Sequence, residues 1–204
     1  DDWGKLYDFF SAREDLQKRQ LKALHRFSFL DDPTRIIRGV RLALDLDFRF
    51  EDETKKLIKE ALKLGDFNEL SSARVFKELK ILFEGRFDED IVNLIKEFPI
   101  FKLIDNNFEF KEKYKETFLN IKSYIRKYRK LGYNINKELL FMAIFFNDIS
   151  VEKYKDLNLT ARERNIFNID VNKVIGKLSR DINKVEITKI ISNIKKEELL
   201  YVLS

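Results

Sequence analysis

The densest set of reactive side chains in this 204-residue sequence is Asp31-Asp32-Pro33-Thr34-Arg35-Ile36-Ile37-Arg38-Gly39-Val40-Arg41. An Asp can accept the unpaired backbone N–H groups of a helix's first turn, and Pro sits where no N–H is needed, so Asp31-Asp32-Pro33 reads as a helix start. Asp32 and Arg35 are three apart on that helix, which makes them neighbours on one face, and Arg38 and Arg41 extend the face by further steps of three. Read physically, this is either a capped helix with a solvated ion-pair face or a row of one acceptor and several donors aimed at a ligand.

Other groupings exclude more than they offer. There is no Cys and a single His, His25, which removes disulfides, thiolate zinc sites, thiol nucleophiles and any metal site needing two histidines. His25 is expected to be packed or hydrogen-bonded rather than catalytic. Asp45-Leu46-Asp47 has the spacing of a metal-binding Asp-x-Asp pair but falls in a helix, where positions two apart point about 200° apart. Asp88-Glu89-Asp90 fails in the same way at a helix start. Phe146-Asn147-Asp148 has Asn where a His-Asp dyad would need His.

These residues need a scaffold, and the composition says it is helical. Only 6 Gly and 2 Pro occur beside 44% apolar and 37% charged residues, too few turn formers for a β-sandwich or a parallel α/β fold. Helices are expected from the Asp31-Asp32-Pro33 start to about Asp47, from Asp52 to Leu64 with Gly65 as the stop, from Ser71 or Ser72 to Gly85, and from Asp88 to Phe98 before Pro99. Further helices are expected near Lys111 to Leu131, near Lys137 to Phe146, and after the capping box Thr160-Ala161-Arg162-Glu163, with two short ones to finish. Residues 1–30 are apolar and turn-rich, with room for a short strand between Leu21 and Phe29. The expectation is an all-α, elongated multi-helix array behind a small non-helical N-terminal remnant.

Lys and Arg exceed Asp and Glu by 40 to 35, which makes an anionic partner plausible. At about 100° per residue, Lys111, Lys115, Lys122, Arg126 and Arg129 form a stripe beside an apolar face of Tyr114, Phe118, Ile121, Ile125 and Tyr128. Such a row suits a phosphate backbone, and it equally suits a solvated face in a Lys-rich protein. The 19 Phe and 7 Tyr are expected mostly in the core. No stretch approaches the roughly 18 apolar residues of a membrane span and no signal peptide is visible, so the cytoplasm is the expected location. The chain opens Asp1-Asp2-Trp3 without Met, which reads as a fragment or a processed piece.

The Asp32/Arg35 segment resembles the Glu/Asp-Asp-x-x-Arg motif, followed by Ile/Leu-x-Arg-Ala-x-Arg, of class II tRNA nucleotidyltransferases (CCA-adding enzymes and relatives) and bacterial poly(A) polymerases. Gly4-Lys5-Leu6-Tyr7-Asp8-Phe9-Phe10, Asp15-Leu16, Leu24-His25 and Ser28-Phe29 are similar to that family's link from catalytic head to neck. Phe48, Glu53-Thr54 and Ser72-Ala73-Arg74-Val75-Phe76-Lys77-Glu78-Leu79 continue the match, so residues 4–85 are covered. The sequence departs from the family at Ser11-Ala12, where paired Gly are usual, at Gly39 for Ala, and at Asp47 for Gly.

The resemblance implies that Asp32 and Arg35 form a protein template for the incoming nucleotide, with Asp31 in the acidic first position and Arg38 and Arg41 contacting phosphate or orienting Asp32. A carboxylate accepts from the exocyclic amine of cytosine or adenine while a guanidinium donates to the neighbouring ring atom, and uracil or guanine offers a carbonyl there instead. It further implies ATP and CTP as substrates, the tRNA acceptor end as partner, and Mg²⁺ held by an N-terminal catalytic head missing from this chain, which alone should be inactive. Arg74, Lys77 and the five stripe cations are expected to contact RNA. The implied division is 1–30 head remnant and linker, 31–85 neck, and 86–204 body and tail. A poly(A) polymerase fragment and a non-catalytic helical RNA-binding module remain alternatives.

Overall fold

A computed structural model describes residue 4, residues 7–65, residue 67, and residues 70–85, 89–130 and 136–169. The chain divides into two compact units, Asp1–Asn106 and Asn107–Ser204.

The first unit begins with turns around α1 (Ala12–Gln17), a two-residue strand β1 (Gln20–Leu21) and a single helical turn α2 (Ser28–Asp31). The site-bearing helix α3 (Thr34–Leu46) follows, then strand β2 (Arg49–Phe50), α4 (Asp52–Leu64), α5 (Ser72–Glu84) and α6 (Glu89–Glu97). The strand expected between Leu21 and Phe29 is shorter and earlier: β1 pairs in parallel with β2, Gln20 beside Arg49 and Leu21 beside Phe50. Ser28 and Phe29 instead lie in α2, where burial of both favours a compact turn over an extended edge.

Local chemistry sets most helix limits. Glu51 caps α4 by accepting from the Thr54 backbone N–H, and Gly65 ends it in the left-handed conformation at φ 65°. Ser71 caps α5 in the same way through Arg74. Asp47 ends α3 at φ 54°, a conformation that suits Gly better than a residue with a Cβ. Ser11, just before α1, is also left-handed at φ 58°. Two of the positions where the family commonly has Gly are therefore left-handed here despite carrying side chains.

The first unit's core gathers Ile36, Ile37 and Val40 of α3, Ile58 and Ala61 of α4, Val75, Leu79 and Phe83 of α5, and Ile91 and Ile95 of α6, all buried, with α3 packed mainly on α5 and also on α6. Each such Ile, Leu or Phe contributes roughly 1.5–3 kcal/mol on burial, which fixes the rotation of α3 and so the direction of its polar face.

The second unit contains α7 (Lys113–Lys130), α8 (Lys137–Phe146) and α9 (Ala161–Phe167). In α8, every residue from Leu139 to Phe146 is buried, as expected of a helix that is apolar on all sides. Tyr114, Phe118, Ile121 and Ile125 of α7 are buried as well; Phe118 meets Phe141 at 4.7 Å between ring centres, and Phe146 stacks on Phe167 at 4.3 Å. The capping box opening α9 has both of its bonds. The two short terminal helices expected from the sequence lie outside the described residues.

Candidate functional site

Asp32 sits in extended backbone between α2 and α3, and both oxygens of its carboxylate accept hydrogen bonds. Oδ1 accepts from the Thr34 backbone N–H at 3.1 Å and from the Thr34 hydroxyl at 2.6 Å, so Asp32 does cap the helix as its residue type suggests. Oδ2 accepts from Arg74 Nη2 at 2.8 Å, and Arg35 Nε lies 4.0 Å from the same oxygen. Burial pushes this carboxyl up, but the Thr34 hydrogen bonds and the Arg74 guanidinium outweigh it and leave the pKa below its usual value. Asp32 is thus an ionised acceptor with a side chain only 17% exposed. A carboxylate has about four lone-pair sites; three are filled from among the described residues, and the one left, on Oδ2, is on the oxygen nearer Arg35.

Arg35 has its own mount. Its Nη1 donates to the Ser28 carbonyl at 3.2 Å, and Ser28 is buried, so α2 fixes the guanidinium while Thr34 and Arg74 fix the carboxylate. Arg35 and Arg38 line a cleft of about 440 Å³ together with Lys22 and His25 on the polar side and Leu21, Leu24, Phe29, Leu42 and Phe50 on the apolar side. No carboxylate lines it. Its charge and its apolar wall suit an anion with a flat apolar part. His25 is exposed on this cleft, not packed as expected, because the turn at residues 24–27 carries it outward. A Cβ at Gly39 would come within 3.0 Å of the Phe50 ring, so Gly in place of the family's Ala lets that ring lie close against α3.

The remaining expected residues are more dispersed. Asp31, Arg38 and Lys77 are exposed and Arg41 is half-buried. Arg74 is occupied by Asp32, a link that spans 42 positions and that no local spacing reveals. In the second unit Lys115, Arg126 and Arg129 are exposed and Lys122 is half-buried, its ammonium 6.0 Å from the Phe118 ring centre. Lys111 precedes α7 and is bound: Asp148 Oδ1 accepts from it at 2.6 Å, while Asp148 Oδ2 accepts from the Tyr114 hydroxyl at 2.7 Å and has Lys113 Nζ at 3.4 Å. The Tyr128 side chain lies outside the described residues. Among the described residues no group of three or more His, Cys, Asp or Glu could hold a metal ion. No helix among them is long and apolar enough to cross a membrane.

No family model matches the chain. It is 37% identical over 114 residues to an A-adding tRNA nucleotidyltransferase of Aquifex aeolicus, a match covering 55% of this chain and 14% of that protein. It is 31% identical over 184 residues to a CCA-adding enzyme of Francisella tularensis subsp. novicida, covering 78% of this chain and 49% of that enzyme. Among solved structures, a Thermotoga maritima CCA-adding enzyme complexed with tRNA superposes with a TM-score of 0.77 at 22% identity, over 96% of this chain and 50% of that one. A CCA-adding enzyme with ATP gives 0.78 at 22% identity, over 96% and 48%. At that identity the superpositions establish the fold. The chain spans half or less of each of these two relatives' length.

Proposed function

We propose, from its relation to part of the A-adding and CCA-adding tRNA nucleotidyltransferases, that this chain is the nucleotide-selecting and RNA-binding part of an enzyme that adds CMP or AMP to the 3′ end of tRNA in the cytoplasm. ATP and CTP are the donors. Mg²⁺ would be held by a catalytic head outside the described residues, where it would supply metal-assisted phosphoryl-transfer chemistry. Residues 31–85 act as the neck and 86–204 as the body and tail, with 1–30 linking to the head.

The observation that carries this reading is the Asp32–Arg35 pair. Asp32 is ionised and rigidly held with one acceptor position left, and Arg35 stands 4.0 Å away on its own support. The exocyclic amine of cytosine or adenine can donate to that position while Arg35 donates to the adjacent ring atom. Uracil or guanine would face the carboxylate with a carbonyl, acceptor against acceptor, and is refused without a nucleic-acid template. Lys115, Lys122, Arg126 and Arg129 hold the RNA backbone by charge, which positions it without reading sequence.

The test is nucleotide selection by the full-length protein. Asp32→Ala should lower CTP and ATP use by roughly tenfold to a hundredfold, the effect of losing one polar contact in a buried site, and should relax rejection of UTP. Arg35→Ala should lower CTP and ATP use without that relaxation, since the carboxylate remains. Two variants that keep wild-type selectivity and only melt earlier would reduce the pair to a helix cap.

A further inference from the structure

Arg74 belongs to a sequence element whose cations were expected to contact RNA, yet its guanidinium is turned onto Asp32. It stands in the first turn of α5, where Ser71 caps the backbone through the Arg74 N–H. The next residue, Val75, and Leu79 one turn further on are fully buried, so α5 cannot rotate without opening the core. From that mount Arg74 Nη2 reaches Oδ2 of Asp32 at 2.8 Å, closer than Arg35 at 4.0 Å. The Arg74 side chain is 53% exposed and that of Asp32 17%, so the pair has a solvated side for the cation and a sheltered side for the carboxylate. The positive charge is already answered by a full negative one, which makes Arg74 a poor phosphate ligand.

Resting on the base-reading role of Asp32, we infer that Arg74 is a positioning residue for nucleotide choice: it fixes the plane of the Asp32 carboxylate so that its one unfilled acceptor position is presented beside Arg35. The terminal torsion of Asp is broad and roughly two-fold. Thr34 holds Oδ1 through two donors on one side, and Arg74 is the donor that stops Oδ2 from swinging. Without it the amine of cytosine or adenine meets a less well directed acceptor, and the carbonyl of uracil meets a less well directed repulsion. Selectivity falls although neither reading residue has changed.

The test compares Arg74→Ala, Arg74→Lys and Asp32→Ala in the full-length protein, measuring kcat/KM for CTP, ATP and UTP, KM for tRNA, and Tm. Ala is a good helix former at a half-exposed position, so folding is expected to survive. Arg74→Ala should lower the preference for CTP and ATP over UTP by about tenfold, less than Asp32→Ala does, with KM for tRNA unchanged. Arg74→Lys should restore much of the preference, because an ammonium can still donate to Oδ2. An Arg74→Ala protein with unchanged preference and a raised KM for tRNA would make Arg74 a phosphate ligand and overturn the inference. Equal losses on all three nucleotides with a lowered Tm would make it merely structural and also overturn it. If Asp32→Ala itself leaves the preference intact, the base-reading role fails and this inference with it; if Asp32→Ala alone relaxes it, only the inference about Arg74 falls.

Discussion

A hydrogen bond from the buried Tyr114 to Asp148 ties α7 to the end of α8 in the second unit, and removing it should have a size that can be stated in advance. Tyr114 is 1% exposed, and its hydroxyl donates to Asp148 Oδ2 at 2.7 Å. A hydrogen bond to a charged group is worth roughly 1.5–3 kcal/mol. Lys111 and Lys113 also face Asp148, but their side chains are 49% and 57% exposed, so each ion pair should add no more than about 1 kcal/mol. Tyr114→Phe should therefore cost about 1.5 kcal/mol, and Asp148→Ala about 3 kcal/mol because it also removes the ion pairs with Lys111 and Lys113. The double variant should cost less than the two losses added together, by about 1.5 kcal/mol, since the one shared hydrogen bond is counted in both. Urea unfolding of the four proteins at pH 7 measures this. Burial pushes the Asp148 carboxyl up, yet hydrogen bonds from Lys111 and Tyr114 and the charge of Lys113 outweigh it and hold the pKa below its usual value. The folded carboxyl is thus the stronger acid. Its stabilisation is complete above the unfolded value of about 3.9 and is lost as pH falls through the lower folded value. The gap between wild type and Asp148→Asn should accordingly close in that acid range. Additive losses within about 0.5 kcal/mol, or a gap that persists at low pH, would refute the assigned bond.

Replacing Lys122, Arg126 and Arg129 with Gln should weaken tRNA binding and flatten its dependence on salt, without altering which nucleotide is added, as a filter-binding titration and an incorporation assay would report. Lys111→Gln should change tRNA affinity less than any one of those three, because its ammonium is already bound to Asp148; an equal or larger loss would show that RNA displaces the carboxylate. Asp47→Gly should raise stability by about 0.5–1 kcal/mol, since φ 54° at that helix end costs a side-chain-bearing residue more than Gly. Its ion pair with Arg19 joins side chains 80% and 68% exposed and contributes too little to reverse the sign.

The elements legible in the sequence are those whose limits are written locally. The helices expected around Asp52 to Leu64 and near Lys137 to Phe146 are present as Asp52–Leu64 and Lys137–Phe146, because an apolar run, and for the first a Gly stop, mark them. The Asp32–Arg35 pairing was equally readable as a spacing of three. What could not be read is what depends on distant partners. Two residues of strand become β1 only because Arg49 and Phe50 come alongside, and no short window announces a parallel ladder. Arg74 looked like one more cation in a basic element, and its contact with Asp32 exists because α3 and α5 pack together. The exposure of His25 on the cleft is hidden for a similar reason, since a lone His in a turn carries no periodicity to say whether it faces the core or a cleft.

The ladder between β1 and β2 is the smallest element of the fold, yet it acts as a clasp on the stretch of chain that carries Ser28, Asp32, Thr34, Arg35 and Arg38. Leu21 and Phe50, one from each strand, both line the cleft, and the Ala23 backbone N–H continues the join by donating to the buried Thr54 hydroxyl at 2.9 Å. Closing such a loop costs chain entropy before any contact repays it. Helix α3 can begin to form from its own residues, whereas the cleft exists only once both ends of the loop have met. Loss of this pairing would part Leu21 from Phe50 and open the cleft wall that the two strands share.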